Sequence, residues 1–131
     1  MDPIVELCER KGLLLIEDSA ETIGGLYKGR PAGSWGIGCW SFFPTKNITT
    51  GEGGMVVTND GTLAKQFQVM RLQGISRDAW NRYGKSGYTH WEQTMAGHKC
   101  NMTDINASIG IHQLKKIDTF LNIRRKYVAM Y

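Results

Sequence analysis

Two short stretches of this chain hold residue types that can do chemistry together. The first is Ile16-Glu17-Asp18-Ser19-Ala20-Glu21, where an apolar run closes on acids. The second is Ser41-Phe42-Phe43-Pro44-Thr45-Lys46-Asn47, followed by Gly51-Glu52-Gly53-Gly54. Asp18 falls at the C-terminal end of an expected strand, the edge at which open α/β sheets bind ligands. A carboxylate there can pair with a cationic ring nitrogen. Ala20, two residues on, leaves room for a flat ring that a larger side chain would strike. Ser41, near a second strand end, can offer its hydroxyl to a phosphate. Lys46 follows in a turn between strands, and an amine enclosed there is partly desolvated, which favours its neutral, nucleophilic form. The glycines after it permit positive φ and close backbone approach. Each residue alone has a plainer reading: Asp18 as a turn or cap aspartate, Lys46 as one of nine lysines on a surface hairpin. Only the combination points to a built site around a lysine nucleophile.

The elements that must position these residues read as an α/β alternation. Residues 2–11 carry an apolar stripe of Ile4, Val5, Leu7 and Cys8 behind an Asp2-Pro3 start, which predicts a helix stopped by Gly12. Leu13-Leu14-Leu15-Ile16 is apolar on both faces and predicts a buried strand of a parallel sheet. Gly24, Gly25, Gly29, Gly33, Gly36, Gly38 and Pro31 mark residues 24–38 as loop and turn. Further strands are expected at 39–43 and 55–58, and a helix at 61–73 that Gly74 ends. Residues 75–100, with Trp80, Tyr83, Tyr88 and Trp91, show no period and read as an irregular excursion. A helix over 101–114 with Thr103 as its N-cap follows, then another from Asp118 through Tyr127. About three strands are too few for a complete parallel sheet. The chain therefore reads as cut at its C-terminus, with a first strand that wants neighbours from upstream sequence.

Composition narrows the classes. The 131 residues suit one domain, and 41% hydrophobic with 21% charged residues suits a packed core. No apolar run reaches the roughly 18–20 residues of a bilayer span and no signal peptide opens the chain, so a soluble cytoplasmic protein is expected. Cys8, Cys39 and Cys100 form no C-x-x-C pair and no zinc spacing, so buried reduced thiols and no metal site are expected. A net charge of +4 raises DNA binding as one possibility. The basic residues are scattered, however, and Arg124-Arg125-Lys126 sits on an expected helix, so a solvated helix face explains them better.

The two chemical stretches, together with Gly33-Ser34, Arg71-Leu72-Gln73-Gly74-Ile75-Ser76-Arg77 and Gly97-His98-Lys99-Cys100-Asn101-Met102-Thr103-Asp104-Ile105-Asn106-Ala107, resemble the DegT/DnrJ/EryC1/StrS family over nearly the whole chain. The resemblance implies a pyridoxal 5'-phosphate (PLP)-dependent sugar aminotransferase of the aspartate-aminotransferase fold type. The chain would be a partial PLP-binding large domain over residues 1–131, a mostly parallel sheet with flanking helices, lacking the upstream part and the C-terminal small domain. It implies that Asp18 pairs with the pyridine nitrogen, Ala20 packs on the ring, Glu21 lies near the ring hydroxyl and Ser41 binds the phosphate. Lys46 would form the internal aldimine, and Asn101 would reach the phosphate of the neighbouring subunit, making the site a property of a homodimer. The substrate implied is a keto sugar, usually nucleotide-linked, aminated from an amino-acid donor such as glutamate. Relatives with histidine at the lysine position are dehydratases, so Lys46 favours transamination. Gln73 departs from the family's common histidine. The alternative is a truncated, non-catalytic fragment acting at most as a binding or assembly piece.

Overall fold

The computed structural model describes residues 1–75 and 92–131. These fall into two compact units, Met1–Asn59 with Met102–Tyr131, and Asp60–Asn101.

In the first unit, α1 (Asp2–Lys11) opens with proline in its first turn, where a missing N–H costs nothing. Asp2 at its start and Arg10 and Lys11 at its end match the helix dipole. Gly12 ends it in the left-handed conformation at φ 63°, its turn returning N–H bonds to Cys8 and Glu9. Five strands follow: β1 (Ile16–Asp18), β2 (Leu26–Tyr27), β3 (Arg30–Pro31), β4 (Ile37–Ser41) and β5 (Gly54–Val57). The main sheet has the order β1-β4-β5. β1 runs parallel to β4, with Ile16 opposite Ile37 and Asp18 opposite Cys39, and β4 runs antiparallel to β5.

The parallel pair is locked by Glu17, the middle residue of β1. Its carboxylate accepts from the backbone N–H groups of Gly33, Trp35 and Gly36 at 2.8, 2.7 and 2.9 Å. Three charge-assisted bonds to one side chain fix the loop that delivers β4 to its register. Within the preceding loop, β2 and β3 form a small ribbon joined by Lys28 and Gly29, both at positive φ (51° and 78°), as a two-residue primed turn requires. Lys28 pairs with Asp2 of α1, and Arg30 lies 4.9 Å from the Trp35 ring centroid. After residue 101 come α3 (Asp104–Leu114) and α4 (Ile117–Val128). The Thr103 side chain accepts from the Asn106 N–H at 3.2 Å and so starts α3.

The second unit holds α2 (Gly61–Met70), capped by Asp60, whose side chain accepts from Thr62 and Leu63 N–H. Beyond it, Leu72 bridges Lys99 and Ile75 bridges Gln93. Gln73 sits at φ 60° between them. Its N–H donates to the His98 carbonyl at 2.9 Å, and its own carbonyl accepts from the Gln93 amide.

Several details differ from the sequence expectation. The first strand lies at Ile16–Asp18 instead of the 13–16 run, and Leu14 is 77% exposed. Among the described residues β1 pairs with β4 alone, so no strand lies along its other edge to bury that run. The second strand starts at Ile37, and the 61–73 helix ends at Met70 with a turn before Gly74. The thiols are not buried: Cys8 and Cys39 are half-exposed and Cys100 exposed. Trp80, Tyr83, Tyr88 and Trp91 lie outside the described residues. No helix among the described residues is long and apolar enough to cross a membrane.

The hydrogen bond and charge of Lys28 hold the Asp2 carboxyl below its ordinary range. A carboxylate lowered on folding stabilises above its unfolded midpoint, and that contribution is lost as pH falls through the folded one. Replacing Lys28 with glutamine is expected to raise the Asp2 midpoint toward the ordinary value. Carboxyl-carbon NMR titration of both proteins measures it, and an unmoved midpoint contradicts the pairing.

Candidate active site

Parallel pairing sends β1 and β4 toward the same sheet edge, so the residues that follow them emerge together. Asp18 closes β1 and is exposed there, its Oδ1 accepting from the Ala20 N–H at 3.1 Å. Ser41 closes β4, and its hydroxyl accepts from the Phe43 N–H at 3.3 Å. Lys46 follows in a turn formed by its N–H and the Phe43 carbonyl. Its Nζ makes an ion pair with Glu21, which comes from the segment after β1. The lysine side chain is only 18% exposed while that of Glu21 is 70% exposed.

The loop that carries Lys46 is anchored on both sides of it. Phe42 and Ile48 are the buried hydrophobic residues among those described, and Thr50 is buried beside them. The Phe42 carbonyl accepts from the Thr50 N–H and the Thr49 hydroxyl at 3.0 and 2.9 Å. Thr49 Oγ1 in turn accepts from the Gly51 N–H, where the chain turns at φ 80°. Asn47 donates to the Ile23 carbonyl at 3.3 Å, tying this loop to the one after β1. From α3, Asn106 donates to the Glu52 carbonyl at 2.8 Å, and the Gln113 side chain accepts from the Thr49 N–H at 3.4 Å. The approach of α3 needs small residues. A Cβ on Gly53 would lie 2.4 Å from Thr50 Oγ1 and 2.8 Å from Met102, and one on Gly110 would lie 3.0 Å from Thr50.

Five of the sequence-derived residues thus share one edge: Asp18, Ala20, Glu21, Ser41 and Lys46. Asn101 is exposed and belongs to the second unit. The supporting residues Glu17, Asn47, Thr49, Thr50, Asn106 and Gln113 escaped sequence reasoning. The Thr-Thr-Gly run after Lys46 is a turn signal that could have revealed two of them. The donor set suits a phosphorylated pyridine aldehyde: a carboxylate for a ring nitrogen, a small side chain for a ring face, a hydroxyl for a phosphate and an amine for a carbonyl.

A mixed α/β sheet thus brings an anchored lysine after one strand and a carboxylate closing its parallel neighbour to one edge. The chain belongs to the DegT/DnrJ/EryC1/StrS aminotransferase family, whose model matches residues 1–131. It is similar to MJ1066 of Methanocaldococcus jannaschii, 47% identical over all of this chain and 34% of that protein. Its identity to the Bacillus subtilis spore coat polysaccharide biosynthesis protein SpsC is 41%, again over all of this chain and 34% of SpsC. Among solved structures, Streptococcus pneumoniae Spr1654, described as a sugar aminotransferase, superposes with a TM-score of 0.79 at 35% identity in its PMP form. That match covers 89% of this chain and 31% of Spr1654, which has also been solved in a PLP form. The chain spans about a third of the length of the curated relatives it matches.

Because Ile48 is one of the few buried side chains among the described residues and lies two residues from Lys46, its loss should loosen the loop. Ile48→Ala is expected to destabilise the protein by about 2–5 kcal/mol. Urea unfolding followed by fluorescence measures this, and a cost near zero would mean that the loop is anchored elsewhere.

Proposed function

We propose that this chain carries the lysine and much of the cofactor pocket of a PLP-dependent aminotransferase. Its substrate is a keto sugar, nucleotide-linked in this reading, and its donor an amino acid such as glutamate. The observation that carries the reading is the enclosed Lys46 side chain on an anchored loop, at the edge where Asp18 and Ser41 also end their strands. Family membership supports the reaction class, and the naming of SpsC for polysaccharide biosynthesis supports a sugar. The PMP and PLP forms of Spr1654 support the cofactor.

PLP supplies a carbonyl that amines condense with and a conjugated ring that accepts electron density. Each residue of this chain then has a task. Asp18 pairs with the ring nitrogen and keeps it protonated. Ala20 leaves one ring face free for close packing, and the Ser41 hydroxyl binds a phosphate oxygen. Glu21 lies by the ring hydroxyl. Lys46 Nζ would hold the cofactor at its carbonyl and, as a free amine, would carry a proton to and from the substrate carbon. Asn101 reaches toward the cofactor phosphate of a second subunit, which makes the functional unit a homodimer. The protein acts in the cytoplasm in this reading.

A second reading has one specific observation behind it. Leu13, Leu14 and Ile16 before and in β1, Met55 and Val56 on β5, and Ile105, Ile109 and Ile111 on α3 are all exposed. Apolar surface on that scale suits a non-catalytic fragment that acts as a binding or assembly piece.

The two separate by mixing the purified chain with PLP. Visible absorbance of bound cofactor that Lys46→Ala abolishes, and that glutamate converts to the amine form, is the expected result. Absorbance equal in the variant overturns the role of Lys46. No absorbance in either protein leaves only the fragment.

A further inference from the structure

Lys46 and Glu21 are unequal partners: the lysine side chain is 18% exposed and that of Glu21 is 70% exposed. The Asp18 carboxylate is turned to the Ala20 N–H. Glu52 in the same loop, and Asp104 on the helix packed against that loop, form no ion pair with Lys46. Glu21 is thus its ion-pair partner among the described residues.

We propose that Glu21 is a positioning residue that clamps the Lys46 ammonium in the cofactor-free protein and must release it before Nζ can act as a nucleophile. This rests on reading Lys46 as the cofactor lysine. The clamp joins the segments after β1 and β4, so it holds Nζ at the shared sheet edge instead of letting a flexible four-carbon stem wander. Its outer partner is solvated, which makes it weak and sensitive to salt. Such a contact aims the side chain yet opens readily. When it opens, Nζ can pass a proton to a base in solution and use the lone pair so freed to attack an electrophile. Glutamine at position 21 keeps the size and an oxygen acceptor and removes only the charge.

The test uses the 131-residue chain without cofactor, labelled briefly with acetic anhydride and read by peptide mass. Lys65 and Lys115 in the same sample serve as internal references. Glu21→Gln is expected to raise Lys46 labelling relative to these two by about two- to fivefold at low salt. Salt of about 1 M should raise labelling of wild-type Lys46 by a similar factor and leave the variant unchanged. Equal labelling in the two proteins at low salt, or a wild-type Lys46 indifferent to salt, overturns the proposal. Unfolding of the variant would expose every lysine together, and the wild-type salt series then decides alone. Because no cofactor is present, failure here leaves the PLP-binding reading to its own absorbance test.

Discussion

The parallel hydrogen bonding of β1 to β4 is the constraint on which the candidate site depends. Register on a sheet is set by which residues face which, and a slip of one residue would turn every side chain to the opposite face. With Asp18 opposite Cys39, the strand that ends in a carboxylate and the strand that ends in a hydroxyl reach the same edge. A parallel pair cannot be closed by a short hairpin, so the connection has to travel and return. In this chain the return is set by Glu17, which binds three backbone N–H groups of the incoming loop from the middle of β1. The acid directly before the candidate cofactor-binding carboxylate therefore does structural duty, while Asp18 remains at the surface.

A second constraint is rigidity around a flexible side chain. A lysine has four rotatable bonds and considerable entropy to lose, so a site that uses one must hold its loop firmly. Ile48 and Phe42 bury the loop from below, two threonines close its turn, and Asn106 and Gln113 tie it to α3. The glycines at 53 and 110 serve this packing more than the cofactor, because a methyl group at either would meet Thr50. Loop and helix are thereby joined across more than fifty residues of sequence.

Much of this was legible in the residues. Pro3 and Gly12 bounded the first helix, Thr103 marked the start of the third, and the Ser41-to-Lys46 spacing placed the amine after a strand. What could not be read had physical causes. The Lys28-Gly29 ribbon looked like plain loop because its strands are two residues long, too short for any alternation. The 13–16 run obeyed the pattern of a buried strand, but burial depends on what covers a surface, and periodicity cannot report that. The side-chain ties of the lysine loop come from Asn, Thr and Gln, residues whose role is set by distance in space.

The central claim is that one particular amine among nine holds the cofactor. The most direct measurement is reductive trapping: incubate the protein with PLP, reduce with borohydride, digest, and locate the modified lysine by mass. The account predicts modification at Lys46 that saturates at one equivalent. Modification spread over surface lysines, or confined to a different one, would contradict it.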